Sequence, residues 1–273
     1  MANSKKINNN ETSSQVPLDI VELMLEEQTS MKDVHASKLI AESKARTYGV
    51  LKHKSSRQFH SYLESSDNFL RSHIGSKVQM TILYVDLVGS THMSMILPLE
   101  TITTIIQTFV QEMTVVVANN YGYVLKYMGD AIIAYFPVTN ETDFHTSYKR
   151  ALLCAIDMLI TVVHGVNTIF KEFDLPQLHI KIGIDSGVNA IIEYGLSSTE
   201  TKSHIDIIGY PMNLTAKITA MAMPDHIMVG NTTYQGLDLQ LRQKLTKLGL
   251  KRLDYIDHQT GDTYMVFSFS LDL

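Results

Sequence analysis

Two β-rich runs, each ending on an aspartate where the chain must turn, constrain this sequence most. The first is VQMTILYVDLVGST, Val78–Thr91, where an apolar strand pattern closes on Asp86 and the small residues Gly89, Ser90 and Thr91 follow. The second is YGYVLKYMGDAIIAYFPV, Tyr121–Val138, where two shorter runs meet through Met128-Gly129-Asp130 in a tight-hairpin pattern. Between them, Pro98 opens a helical pattern that runs to about Asn119, with Ile102, Ile105, Ile106, Phe109, Met113 and Val116 on one broad apolar face. Asn120-Tyr121-Gly122 ends it. Such a helix can return the chain to the same sheet, where adjacent strands lie about 5 Å apart. Asp86 and Asp130 then fall at neighbouring strand ends, where two carboxylates can share metal ions. The small residues after Asp86 leave backbone N–H groups to face phosphate oxygens.

The remaining pattern continues this alternation. Phe144 to Phe170 reads as a second long helix, and His179–Gly187 as a third β-run that Ile191–Tyr194 extends. Gly195 to His204 is polar and reads as a loop. A short helix over Pro211 to Met221, a strand at His226–Gly230, a short helix at Thr232–Gly236 and a closing hairpin of Leu248–Ile256 with Thr263–Phe269 complete the chain. The order β-α-β-β-α-β followed by further α/β elements predicts an α+β fold with a ferredoxin-like core.

Ahead of this core, residues 1–17 are rich in Asn, Ser and Lys and read as a disordered tail. Residues 18–74 read as a helical segment, with Val34, Leu39, Ile40, Leu51, Phe59, Leu63 and Leu70 as an intermittent apolar stripe. Two readings stand side by side for it: a signalling or dimerising helix that could meet an upstream sensor, or a solvated helix packed on its own domain.

A formal net charge of −5 argues against a dedicated nucleic-acid binder. One cysteine, Cys154, excludes an intrachain disulfide, and its apolar helical setting makes it a buried thiol. The 11 histidines form no spacing that suits a metal site. The N-terminus lacks a signal-peptide core and no run of 18 apolar residues occurs, so the expectation is a soluble cytoplasmic protein without a membrane span.

DLVGST followed by KYMGDAIIAYF, and further on DIIGYPMNLTAKI at Asp206–Ile218, resembles the class III nucleotidyl cyclases over roughly Lys77 to Phe269. The resemblance implies a catalytic domain over residues 75–273 with the ferredoxin-like βαββαβ cyclase core. It implies that Asp86, Asp130 and the Leu87 carbonyl hold two divalent ions, Mg²⁺ or Mn²⁺, and that Gly89, Ser90 and Thr91 cradle the phosphates. Lys126 and Asp206 take the family's base-reading positions. A lysine donor and a carboxylate acceptor complement adenine N1 and N6, so the pair favours ATP over GTP. Asn213 takes the position that orients the ribose and supports the transition state, and the catalytic sites of the family lie between two subunits, which implies a homodimer.

Two departures from the family pattern bear on rate. Lys217 stands where arginine is usual and lacks the planar fork that suits a phosphoryl group. The loop DYIDHQTGDTY holds no lysine where the family places one against the triphosphate; His258 is the nearest basic residue, with Lys251 and Arg252 further back. The expected activity is therefore a slow adenylyl cyclase. The alternatives are a catalytically silent domain that binds ATP as a regulatory ligand, and a ferredoxin-like interaction domain with coincidental carboxylates.

Overall fold

The computed structural model describes residues 29–53, 60–138, 144–195, 203–248, 256, 261 and 263–270. The tail at 1–17, most of the closing loop with Lys251, Arg252 and His258, and Phe59 lie outside the described residues. The elements are α1 (Thr29–His53), α2 (His60–Ser72), β1 (Lys77–Leu87), α3 (Ser90–Ile96), α4 (Leu99–Asn119), β2 (Tyr123–Met128), β3 (Ala131–Pro137) and α5 (Phe144–Ile160). A π-helical turn (Thr161–Val166) joins α5 to α6 (Asn167–Glu172). Then come β4 (Ile180–Tyr194), β5 (His204–Ile208), α7 (Tyr210–Met221), β6 (His226–Gly230), α8 (Asn231–Gly236), α9 (Leu239–Gln243), β7 (Thr246–Lys247) and β8 (Val266–Ser270).

The sheet runs β2-β3-β1-β4-β6-β8-β7, with β5 hairpinned onto the outer half of β4. Its first four strands, taken from β4, lie in the order β4-β1-β3-β2 with antiparallel neighbours, which is the expected α+β, ferredoxin-like arrangement. The alternation of β1 divides the core. Leu83, Val85 and Leu87 point to the face covered by α4 and α5, against Ile105, Phe109 and Met113. Met80 and Ile82 point to the other face, with Ile133, Tyr135, Ile207 and Leu70 of α2. Helices α4 and α5 with α6 are long and apolar enough, by length and composition, to cross a membrane. Yet 61% and 78% of their most apolar stretches are buried in this fold, so the core accounts for the composition. Cys154 is fully buried on α5, and burial pushes its thiol pKa well up, as befits an unreactive structural group.

Several local details differ from the sequence reading. The third β-run does not pause at Gly187 but continues as one 15-residue strand to Tyr194. The residue in the left-handed region after α4 is Tyr121, at φ 60°, and not the following glycine. Of the closing hairpin, the described residues show a two-residue β7 at Thr246–Lys247 paired with β8, and Ile256 meeting Thr263 in a bridge; residues 249–255 lie outside the described residues. Ser90 opens the separate helix α3 ahead of Pro98.

The N-terminal helix packs on its own domain. Its buried stripe is Ala36, Leu39, Ser43 and Thr47, at helical spacing, while the predicted stripe residues Val34 and Leu63 are exposed. Small side chains win because α1 lies close against the π-helical turn, where Ser43 meets Gly165. Polar contacts reinforce the docking. Arg46 donates two hydrogen bonds to Glu112 of α4, at 2.9 and 2.8 Å, and Glu112 is 1% exposed. Removing either partner of such a buried pair costs about 3–5 kcal/mol. His35 pairs with Asp157 of α5 at 3.4 Å, and the Asn120 amide donates to the same carboxylate at 2.8 Å.

Candidate active site

Strand β1, interior to the sheet, carries Asp86 to its C-terminal end, where the β1–β3 register sets it beside Ala131, the residue after Asp130. The Leu87 N–H donates to the Asp130 carbonyl at 3.1 Å, which locks the strand end to the hairpin turn. Both predicted metal carboxylates are thus at one place. The Asp86 carboxyl is raised above its ordinary pKa, first by burial and then by the like charge of Asp130, while Lys181 opposes the shift. Two hard oxygen donors held together against their own repulsion suit a hard divalent cation. Among the described residues no third His, Cys, Asp or Glu joins them.

Gly89 follows in the left-handed region, at φ 74°, and starts α3 at Ser90. A residue with a β-carbon is strained there. The first N–H groups of α3, including those of Ser90 and Thr91, have no partner within the helix. The Ser90 hydroxyl donates to the Asp130 carboxylate, so this side chain orients the aspartate rather than facing away from it.

Lys126 on β2 and Asp206 on β5 are 80 residues apart in sequence, yet the ammonium donates to both carboxylate oxygens at 2.9 and 2.7 Å. Tyr84 links this pair to the carboxylates. It lies two residues before Asp86 on the same face of β1, and its phenol pKa is raised by burial and by the charges of Asp86 and Asp206. Its hydroxyl reaches the Met128 sulfur at 3.5 Å. The Lys126–Asp206 pair, Tyr84 and Asp86 therefore lie close enough for both carboxylates to act on one phenol.

Asn213 and Lys217 are one helical turn apart on α7, and both are exposed. No described hydrogen bond or ion pair joins either to Asp86 or Asp130. Helix α7 lies unusually close to β4, because a β-carbon at Gly183 would fall 2.1 Å from the Thr219 hydroxyl. That closeness fixes the face that α7 turns outward.

Two residues near Asp86 escaped the sequence reading. Lys181 pairs directly with Asp86 across β1 and β4. The signal for it was the β-run HIKIGIDSG, whose alternation put Lys181 on one face but gave no partner. Tyr84 was likewise visible only as an aromatic residue in a strand.

Comparison with known proteins agrees with this fold. The family model for the adenylate and guanylate cyclase catalytic domain matches residues 73–268. A cytidylate cyclase of Escherichia coli is 24% identical over 160 residues, 57% of this chain and 35% of that protein, so this chain spans about a third of its relative's length. Among solved structures, the adenylyl cyclase CyaB from P. aeruginosa superimposes with a TM-score of 0.59 at 17% identity, covering 71% of this chain and 94% of that one. The guanylyl cyclase Cya2 gives 0.58 at 23% identity, covering 71% and 92%. A class III adenylyl cyclase-like ATP-binding protein from Pseudomonas aeruginosa gives 0.55 at 16% identity, covering 62% and 37%. By a family match that spans most of its length, this chain belongs to the adenylate and guanylate cyclase catalytic domain family.

Proposed function

We propose that this protein is an adenylyl cyclase that converts ATP to 3′,5′-cyclic AMP and pyrophosphate, with its sites shared between two copies of the chain. The observation that carries this reading is the Lys126–Asp206 pair, with its ammonium and carboxylate 2.7 Å apart. It lies near Tyr84, on which the charges of both Asp206 and Asp86 act. On binding, the ammonium donates to adenine N1 and the carboxylate accepts from the N6 amino group, so base contacts replace the contact between the two side chains. Guanine and uracil present the opposite order, a ring N–H beside a carbonyl, and would face donor with donor.

In the reaction the ribose 3′ oxygen bonds to the α-phosphorus, the bond to the bridging oxygen breaks, and pyrophosphate leaves. Asp86, Asp130 and the Leu87 carbonyl would hold divalent cations, which would lower the pKa of the 3′-hydroxyl and neutralise phosphate charge. The backbone of Gly89, Ser90 and Thr91 receives phosphate oxygens at the start of α3. Lys181 adds a positive charge beside Asp86 and offsets the absence of a lysine in the closing loop. Asn213 and Lys217, exposed on α7, reach the substrate held by the partner's carboxylates. Asn213 orients the ribose, and Lys217 meets the charge that develops on phosphorus.

A second reading has its own support. Cytosine presents a ring acceptor, N3, beside an amino group, N4, the same edge that adenine offers. Lys126 and Asp206 therefore select against GTP and UTP but not against CTP, and the similarity to a cytidylate cyclase favours CTP as the alternative substrate. The deciding experiment incubates pure protein with Mn²⁺ and ATP, CTP, GTP or UTP separately and identifies cyclic product by mass. Cyclic AMP as main product is expected. Cyclic CMP alone replaces ATP with CTP. Nucleotide binding without product marks a silent regulatory domain. Lys126→Glu should move preference away from ATP toward GTP, and an active variant with unchanged preference would overturn the base-reading assignment.

A further inference from the structure

Lys126 and Asp206 meet across a spacing that no strand ladder sets among the described residues. In the sheet, β3 and β1 stand between β2, which carries Lys126, and β4, onto which β5 with Asp206 is hairpinned. A register shift between Val124 and Lys126 also interrupts the ladder of β2 just before the lysine. Yet the ammonium donates to both carboxylate oxygens at 2.9 and 2.7 Å, and such bonds leave their usual range beyond about 3.2 Å. The spacing of the two strands must be held from outside the ladders.

Helix α2 is in contact with both strands. Toward β2, the Phe69 ring stacks on Tyr123 with centroids 5.3 Å apart and meets Tyr135 at 5.8 Å. One turn earlier, the Ser66 hydroxyl bonds that of Tyr135 at 3.1 Å. Tyr123 and Tyr135 are cross-strand partners, and Tyr123 stands three residues before Lys126. Toward β5, Leu70 is buried with Ile205 and Ile207, the two neighbours of Asp206. The Arg71 guanidinium donates to the Ser203 hydroxyl at 3.3 Å and to the Ser203 carbonyl at 3.5 Å, three residues before Asp206. Past the helix end, the Gly75 N–H donates to the Ile191 carbonyl at 2.9 Å, and the Ile191 N–H donates to the Ser76 carbonyl at 3.1 Å. Ile191 is the cross-strand partner of Ile207, so this stitch also holds the β5 hairpin.

We propose that α2 is a clamp that fixes the spacing of Lys126 and Asp206, with Phe69 and Arg71 as positioning residues for base selection that act through β2 and β5. The proposal rests on the base reading assigned to that pair above. A shift of α2 moves the anchor points of both strands and changes what the pair can read. Asp86 and Asp130 stay in place, because the β1–β3 ladder and the Leu87–Asp130 hydrogen bond hold them.

Calorimetry on the full chain with Mg²⁺ and the α,β-methylene analogues of ATP and GTP, which cannot be cyclised, tests the clamp. Phe69→Leu keeps an apolar side chain and loses the stacking, and Arg71→Ala removes the bonds to Ser203 from a partly exposed helix end. Each should lower the preference for the ATP analogue over the GTP analogue at least about tenfold. Arg71→Lys, which keeps one donor for Ser203, should retain most of the preference. Equal weakening of both analogues, as a merely structural role predicts, or an unchanged preference would overturn the clamp. Hydrogen exchange without nucleotide gives an independent reading. In Arg71→Ala, amides of His204–Ile208 should exchange at least about tenfold faster than in the wild type, while those of β1 and β3 stay unchanged. Unchanged exchange in β5 sinks the clamp whatever the nucleotide. Faster exchange in β5, in a protein whose wild type binds both analogues equally, supports the clamp and removes the base-reading assignment.

Discussion

Asp86 on β1 stands directly opposite Lys181 on β4, so a carboxylate and an ammonium share one cross-strand position at the end of the sheet that also holds Asp130. The lysine holds the Asp86 carboxyl down against burial and the Asp130 charge. Lys181→Ala should therefore raise the pKa of Asp86 further and remove a cation from the triphosphate end. With Lys181 in its proposed place at the triphosphate, losing that charged contact, worth about 1.5–3 kcal/mol, corresponds to roughly a 10- to 150-fold fall in kcat/KM. Steady-state kinetics check the fall. An unchanged kcat/KM in a folded variant would remove Lys181 from the site.

Asp86→Asn separates stability from chemistry. Because the folded carboxyl is raised above its usual value, its ionisation is disfavoured by the fold. Its contribution to stability is present below the unfolded pKa and is lost as pH rises through the raised folded value. At neutral pH without metal, Asp86→Asn should leave Tm unchanged or higher, yet cut metal-dependent turnover by at least about 100-fold. In the wild-type protein, divalent-ion affinity should fall as pH drops through that raised value. Calorimetric metal titrations at several pH values measure this, and a pH-independent affinity would remove Asp86 from the ligands.

The proposed site shared between two copies sets the exposed Asn213 of one chain against Asp86 and Asp130 of the other. Asp86→Ala and Asn213→Ala should each be inactive alone. Mixed, they should recover up to about a quarter of wild-type activity, since about half the dimers are mixed and carry one whole site of two. Confirmed mixed dimers with no activity would point to a site within one chain.

Lys217 presents a flexible point charge where a planar fork would align two hydrogen bonds. One such bond is worth about 1–3 kcal/mol in the transition state, or roughly 5- to 150-fold in rate. Lys217→Arg should raise kcat more than it alters KM, and Lys217→Ala should lower kcat. Turnover that is indifferent to Lys217→Ala would shift attention to His258 and Arg252.

The His35–Asp157 contact makes the docking of α1 sensitive to pH. The hydrogen bond that the His35 ring donates to Asp157 raises its pKa above 6.5, against burial and the charge of Lys38. A raised histidine pKa stabilises fully below the unfolded value and ceases to do so as pH rises through the folded one. The ring is half exposed, so the effect is at most about 1 kcal/mol. Amides of α1 should exchange faster at about pH 8.5 than at about pH 5.5, after correction for intrinsic rates, and His35→Gln should flatten the difference. A difference that survives His35→Gln would assign the effect to another group.

The sequence by itself determined the parts of the site that are written locally. A strand that ends on Asp86, a hairpin that turns at Gly129 and Asp130, and an asparagine and lysine one helical turn apart are each fixed by spacing within a few residues. The apolar face of α4 was legible for the same reason. Tertiary structure decided what meets across the fold. The β1–β4 register puts Lys181 against Asp86, and a slip of one residue would have sent that lysine to the opposite face. The hairpin of β5 on β4 brings Asp206 to Lys126. Close packing on the π-helical turn, and not side-chain hydrophobicity, chose Ala36, Ser43 and Thr47 over Val34 as the buried face of α1. Periodicity tells which residues share a face, but register and interhelical distance, set by contacts from far along the chain, decide what that face touches.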